Sequence, residues 1–464
     1  MRQEEVEAVG GQRKKKGGRV TPKGCAPSQK LTQEGRAELE ELFATLLRSA
    51  PEALRDDLPP VVVEMWASQM WSTWANADLI GMDATEVVAG GLIAYAGTQG
   101  PQAALTVLRA IGAVAPEPYG QRARRAADRL AAEGVPEKTW AALVGAAAPT
   151  VAGLMYDPYD DDGVNVMVGF DTAGTPSTVS LYIDHNLGGM AKDAFAAPAA
   201  MAEVLTVLQN HADEDDGHGH GGGQPVYREI TLAEAAARWR DALAATDRYL
   251  DPPSNEELDH LRALVTARLA TLPPGGGVPA PAEMDEDERD VVLSAFLESD
   301  EAVGLFGIDA DDDETETVEQ LSHQILTFSL DYVVGTPLRF SPVMVEMFCL
   351  DWAPRKIAMD GDAFTVLPDV LAAWIRFVGR RRAVPASLIT EAVKAVYGYA
   401  PEMIELSQDP EVWGPAKTMV LAIEQRGIDL TDQGALDDFI DEVNRDGGID
   451  VLAESLAGSV APKR

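Results

Sequence analysis

The chain carries only two cysteines, Cys25 and Cys349, so neither a disulfide framework nor a thiolate metal cluster can be built from it. That scarcity points to a reducing compartment. No uninterrupted apolar run of ~20 residues is present, and the N-terminus has neither the apolar stretch nor the small-residue cleavage site of a secretory signal. Both absences predict a cytoplasmic protein with no membrane contact. Basic residues are also scarce: 38 Lys and Arg stand against 75 Asp and Glu, for a net charge of −37. Sequence-independent binding to phosphate backbones depends on Lys and Arg displacing counterions, so the body of this protein is a poor nucleic-acid surface. A basic protein or a cation suits it better. The phosphate-binding G-x-x-x-x-G-K-[ST], the dinucleotide G-x-G-x-x-G after a strand, the G-x-S-x-G elbow and H-E-x-x-H are all missing, which argues against the commonest nucleotide, hydrolase and zinc-protease chemistries.

What is there is a chain of 464 residues, 46% of them apolar, long enough for several packed units. Ala, Leu, Arg and Glu outweigh β-branched and aromatic residues through most of it, so the expected class is mostly α and multi-domain. Residues 1–31 hold eight basic and three acidic side chains with little to bury, and are read as a disordered tail of net +5 before a body of net −42. Its cluster Arg13, Lys14, Lys15, Lys16 can contact nucleic acid or an acidic neighbour, or fold back on the acidic body.

From Thr32 apolar residues recur at three and four, the spacing of a helical face. A second helix opens at Pro59-Pro60, with Val61, Val62, Met65, Trp66, Met70 and Trp74 expected inward, and others follow at 83–96, 101–113, 118–133 and 136–147. Residues 164–184 alternate on both sides of Gly174-Thr175-Pro176 and predict a β-hairpin, an α+β insertion followed by a helix over 191–210. The expected units are 32–210 (first helical module plus hairpin), an acidic His/Gly linker over 211–226, a helical pair within 227–272, a Pro/Gly/acidic linker over 273–287, and a second helical module over 288–458.

The chain also echoes itself. Pro60-Val-Val-Val-Glu-Met-Trp66 matches Pro342-Val-Met-Val-Glu-Met-Phe348 at five of seven positions. Ala115-Pro116-Glu117 is followed by Leu130 to Gly134-Val135, and Ala400-Pro401-Glu402 by Ile423 to Gly427-Ile428, in the same order. This predicts an internally duplicated helical module, about 59–146 and 341–443. Chance resemblance between amphipathic helices is the competing explanation.

The best local candidate for chemistry is Asp184-His185-Asn-Leu-Gly-Gly, at a strand end. There Asp184, His185 and Asp193 can gather a divalent metal, or His185 can act as a base oriented by a carboxylate. The alternative is turn chemistry that caps the next helix and uses left-handed backbone. His211, His218 and His220 in the glycine-rich linker offer at most weak metal contacts, and the acidic run 309–313 lacks the spacing and central glycine of a calcium loop. Asp157-Pro-Tyr-Asp-Asp-Asp162 is taken as an exposed acidic connection. Arg380, Arg381 and Arg382, at the end of a predicted helix, complement its C-terminus or hold an anionic partner. The Trp66, Trp71, Trp74 stripe and its counterpart Phe348, Trp352 are read as core.

Ser341 to Lys356, Leu367 to Arg382 and Ile183 to Gly189 resemble stretches of uncharacterised actinobacterial proteins. The resemblance runs from about residue 35 to 440 and transfers no catalytic residue. The expected function is a non-enzymatic binding or scaffold protein that engages a protein partner through paired helical modules, without a cofactor. The alternative is a metal-assisted enzyme centred on Asp184, His185 and Asp193.

Overall fold

The computed structural model describes residues 33–75, 84–98, 101–212, 225–249, 252–275, 284–305, 312–359, 361–429, 432–446, 448 and 451–452. The protein is mostly helical, with one five-stranded antiparallel sheet of order β4-β3-β2-β1-β5. No helix among the described residues is long and apolar enough to cross a membrane.

The first body begins with α1 (Gln33–Ala53) and α2 (Pro60–Ala75), continues through a π-helical turn (Thr85–Gly90) into α3 (Gly91–Ala96), and then α4 (Pro101–Val114) and α5 (Tyr119–Ala132). Pro60 stands in the first turn of α2, where a missing N–H leaves no carbonyl unserved. The buried stripe of α2 is Val63, Ala67, Trp71 and Trp74, while Val62, Met65, Trp66 and Met70 are half-buried. The helix is enclosed by α4 on one side and by α8 (Glu256–Leu269) on another, so a single inward face is too narrow a description.

The expected hairpin is β2 (Gly163–Thr172) paired with β3 (Thr175–Asp184), turning at Ala173 and Gly174, both with positive φ. It sits inside a larger sheet whose other strands are β1 (Ala148–Tyr156), β4 (Met190–Ala197) and β5 (Val226–Ile230). Two expected helices are therefore corrected. The segment expected to be helical over 191–210 is β4 followed by α6 (Met201–Ala212), because pairing with β3 overrides the helix preference of Ala191, Ala194, Ala196 and Ala197. The segment 136–147 is a series of turns pinned from outside. Trp140 Nε1 donates to Arg55 O at 3.0 Å, Thr139 N to Asp56 Oδ1 at 3.1 Å, and Gly145 N to Glu64 Oε1 at 2.7 Å.

One face of the sheet packs on α7 (Leu232–Thr246) and α8, and the other is covered by α6 through Met167, Met201 and Val204. A continuous core runs from Phe43 to Leu272, so the helical pair α7–α8 shares it with the first helices. Across it the buried carboxylate of Glu64 on α2 meets the guanidinium of Arg268 on α8, which also lies over the Phe170 ring at 5.0 Å.

The second body has its own core, from Val292 to Met403. Its elements are α9 (Glu286–Leu297), α10 (Asp300–Val303), α11 (Asp312–Thr327) running into a π-helical turn (Phe328–Tyr332), α12 (Pro342–Met347), a second π turn (Phe348–Trp352), α13 (Ala353–Lys356), α14 (Gly361–Arg381) and α15 (Ala386–Ser407). A small cluster of α16 (Pro415–Arg426) and α17 (Gln433–Asp446) follows.

The echoed segments agree at some points and differ at others. Gly134 and Gly427 both take left-handed backbone after a helix, and the bonds Val135 N to Leu130 O (3.2 Å) and Ile428 N to Ile423 O (3.1 Å) close the same C-terminal motif. By contrast, Ala115-Pro116-Glu117 breaks α4 from α5, whereas Ala400-Pro401-Glu402 lies inside α15.

Candidate functional site

Two turns emerge at the same end of the sheet: residues 157–162 between β1 and β2, and residues 185–189 between β3 and β4. In the first, Asp157 Oδ1 accepts from Tyr159 N (2.7 Å) and Asp160 N (3.0 Å), a side-chain turn typical of Asp. In the second, Asp184 Oδ1 accepts from Asn186 N (2.8 Å) and Leu187 N (3.1 Å), and Gly188 and Gly189 supply the left-handed backbone that lets the chain reverse. The turns are stitched together by His185 N donating to Asp162 O at 2.8 Å and by Asn186 Nδ2 donating to Asp162 Oδ1 at 2.8 Å.

Residues 333–341, the lead-in to α12, cross this end of the sheet. Val334 N donates to His185 O at 2.9 Å, and both the backbone N–H and the hydroxyl of Thr336 donate to Asp161 Oδ2, at 2.7 and 2.6 Å. Arg339 is wholly buried. Its guanidinium donates to Asp162 Oδ1 (2.9 Å), Asn186 Oδ1 (2.6 Å), Asp160 O (3.1 Å) and Val334 O (3.1 Å), leaving only Nε without a partner. Ser341 caps α12 by accepting from Met344 N, and its hydroxyl donates to Asp162 Oδ1 at 2.6 Å. Arg382, at the end of α14, donates to Tyr159 O at 3.0 Å. The turn 157–162, expected to be an exposed acidic connection, is therefore the seat on which the second helical body rests. Asp161 and Asp162 receive their donors from that body, as buried charge requires, while Asp157 Oδ2 is buried without a partner.

The electrostatics follow from this enclosure. Burial, reinforced by the neighbouring charges of Asp157, Asp162 and Glu391, raises the Asp160 carboxyl to about 7. Burial alone would raise Asp161 too, but the bonds from His185 and Thr336 outweigh it and hold that carboxyl below its ordinary value. Tyr182, whose ring lies against Gly163, has its phenol pushed up by burial and by Asp184 and Asp162.

The three residues expected to form a metal or catalytic centre are not gathered. Asp184 is engaged by its own turn and by Lys192 Nζ at 3.0 Å, His185 turns to Asp161, and Asp193 lies on β4 opposite Tyr182, accepting from Ala194 N at 2.7 Å. Among the described residues no group of His, Cys, Asp and Glu is placed to hold a metal ion. The turn reading of this run holds, although the element that follows is a strand rather than a helix. His185 Nδ1 lies 3.0 Å from Asp161 O and 3.2 Å from Asp161 Oδ1. Both are acceptors, so in the neutral ring Nδ1 carries the proton and Nε2 the lone pair.

No protein-family model matches the chain, and neither a curated protein nor a solved structure matches it.

The three consecutive arginines do not converge on one spot. Arg380 pairs with Glu301 at 2.7 Å, Arg382 is turned inward to Tyr159, and Arg381 is exposed. Trp71, Trp74, Phe348 and Trp352 are buried in the cores. Arg13, Lys14, Lys15, Lys16, His218 and His220 lie outside the described residues. The residues that the sequence reading missed are Asp161, Asp162, Thr336 and Arg339. One signal was available: Arg339 stands between Leu338 and Phe340 in an otherwise apolar stretch, where a charge needs a partner.

Proposed function

We propose that this is a non-enzymatic binding protein: two helical bodies joined at a sheet present an acidic surface to a basic protein partner. The observation that carries this reading is the use made of the strand-end side chains. Asp184, His185 and Asn186, from the best chemical candidate in the sequence, and the facing Asp161 and Asp162 are bound to one another's turns, to Lys192 and to residues 334–341 of the second body. Groups so engaged hold bodies in register and leave little freedom to turn over a substrate. The net charge of −37 favours a cationic partner and accelerates encounter with it at low ionic strength.

The test is affinity capture from the native host by the full chain, followed by reconstitution with the purified partner. A stoichiometric basic protein that is retained near physiological salt and released as ionic strength rises supports the reading, because such attraction is screened over roughly 8 Å at 0.15 M. A chemical turnover by the purified protein that disappears in His185→Asn would overturn it and favour the enzyme reading, in which His185 is the base and Asp161 its orienting carboxylate.

A further inference from the structure

A second feature lies in the first body, away from the clasp formed by the turns 157–162 and 185–189 with residues 333–341. Between α2, the end of α4, residues 246–249 and 252, and α8 is a cleft of about 460 Å³, within the size range of small-ligand sites. Its walls are aromatic and apolar: Trp71, 7% exposed and 5.4 Å from the Tyr119 ring, forms part of the lining, with Pro116 beside it and Tyr249, 53% exposed, at the rim. The ionisable lining residues are Asp247, Asp259 and Arg262. Arg262 is paired with Asp247, so the positive charge in the cleft is already matched. The Asp259 carboxylate has no hydrogen bond or ion pair from a described residue, so the lining carries one negative charge in excess.

We propose that this cleft binds a small organic monocation bearing an aromatic ring, of the arylalkylammonium class. The ring would lie against Trp71 and Tyr249, and the ammonium would face Asp259 and the aromatic faces, which attract cations through their quadrupoles. The surrounding acidic field favours a cation and disfavours an anion of the same shape. This site does not rest on the protein-partner reading, and either can fail alone.

The test is isothermal titration of the full chain with benzyltrimethylammonium, and with benzyl alcohol and phenylacetate as neutral and anionic counterparts. Saturable binding of the cation at one site, with both counterparts at least about tenfold weaker, is expected from cation–π and carboxylate attraction together. Asp259→Asn and Tyr249→Ala, both away from the core, should each weaken the cation by about threefold to tenfold. Their circular dichroism and unfolding midpoint should remain those of the parent. Equal binding of the three probes, no saturation up to about 10 mM (a free energy near −2.7 kcal/mol by the usual affinity conversion), or indifference to both substitutions overturns the proposal.

Discussion

Arg339 reaches Asp162 across 177 residues of sequence and donates to its Oδ1 at 2.9 Å. The same oxygen also accepts from Asn186 Nδ2 and from the Ser341 hydroxyl, so one carboxylate joins both turns of the sheet to the start of α12. A guanidinium with no exposure is tolerated only where such acceptors surround it. Arg339→Met keeps the apolar length but removes the cation beside Asp162 and the guanidinium donors to Asn186 Oδ1 and to the Asp160 and Val334 carbonyls. The expected loss is about 3–5 kcal/mol, the range for breaking a buried pair. Denaturation followed separately by tryptophan fluorescence and by limited proteolysis should show the two bodies unfolding at different midpoints in the variant. Coincident, unshifted midpoints would mean that the clasp contributes nothing to their coupling.

Asp160 makes the junction sensitive to pH. Its carboxyl is raised from 3.8 to about 7 in the folded protein, chiefly by burial. Between those values the folded state binds a proton that the unfolded state has released, so stability from this group is full below about pH 4 and is lost as pH rises through 7. After allowance for partial solvent screening, the effect is on the order of 2 kcal/mol. Asp160→Asn removes the titration. The variant should be more stable than the parent at pH 8 and should lose that advantage by pH 5, as read from urea midpoints across the range.

How much of this was visible beforehand depended on whether a feature is local. The Pro60 and Pro342 helix starts, the glycine caps at 134 and 427, and the 164–184 hairpin are written in neighbouring residues and were legible. β4 was not, because its alanines carry a helical preference that only β3, α7 and α8 overrule. The clasp was half legible. Asp184 to Gly189 reads as a turn in any context, but the partner of Asp161 is Thr336, and nothing near either residue announces a pairing over 175 positions. A single sequence records periodicity and turn chemistry, while such pairings depend on how the two bodies meet.

The ion pair of Glu64 and Arg268 invites a different experiment, since each partner is almost wholly buried. Burial raises the Glu64 pKa and lowers that of Arg268 despite their mutual attraction, so each is displaced towards its neutral form. Desolvation therefore offsets much of the Coulombic gain. Arg268→Met alone should cost about 3–5 kcal/mol by stranding the carboxylate. The double variant Glu64→Leu/Arg268→Met should cost clearly less than the sum of the single changes, with a residue of roughly 1–3 kcal/mol because Gly145 N loses its acceptor. A double-mutant cycle on chemical denaturation measures this. Strict additivity would show that the two side chains do not act as a pair.

Gly335 sets how closely the second body can approach the sheet. Its φ is +100°, and a Cβ there would stand 2.9 Å from both Asp161 Oδ2 and His185 Nδ1. Alanine is therefore opposed twice, by the backbone conformation and by two polar atoms that are held in place, Asp161 by Thr336 and His185 by the turn. Gly335→Ala should destabilise the junction by about 2–4 kcal/mol, combining backbone strain with displacement of a bonded pair. The His185 ring resonances should shift in an imidazole NMR spectrum. Gly174→Ala, at a positive φ of 89° but with nothing near its Cβ, serves as the control for backbone strain alone and should cost about 1 kcal/mol without moving those resonances. If both substitutions have the same cost and leave His185 unchanged, the close approach at Gly335 is not what seats the second body on the sheet.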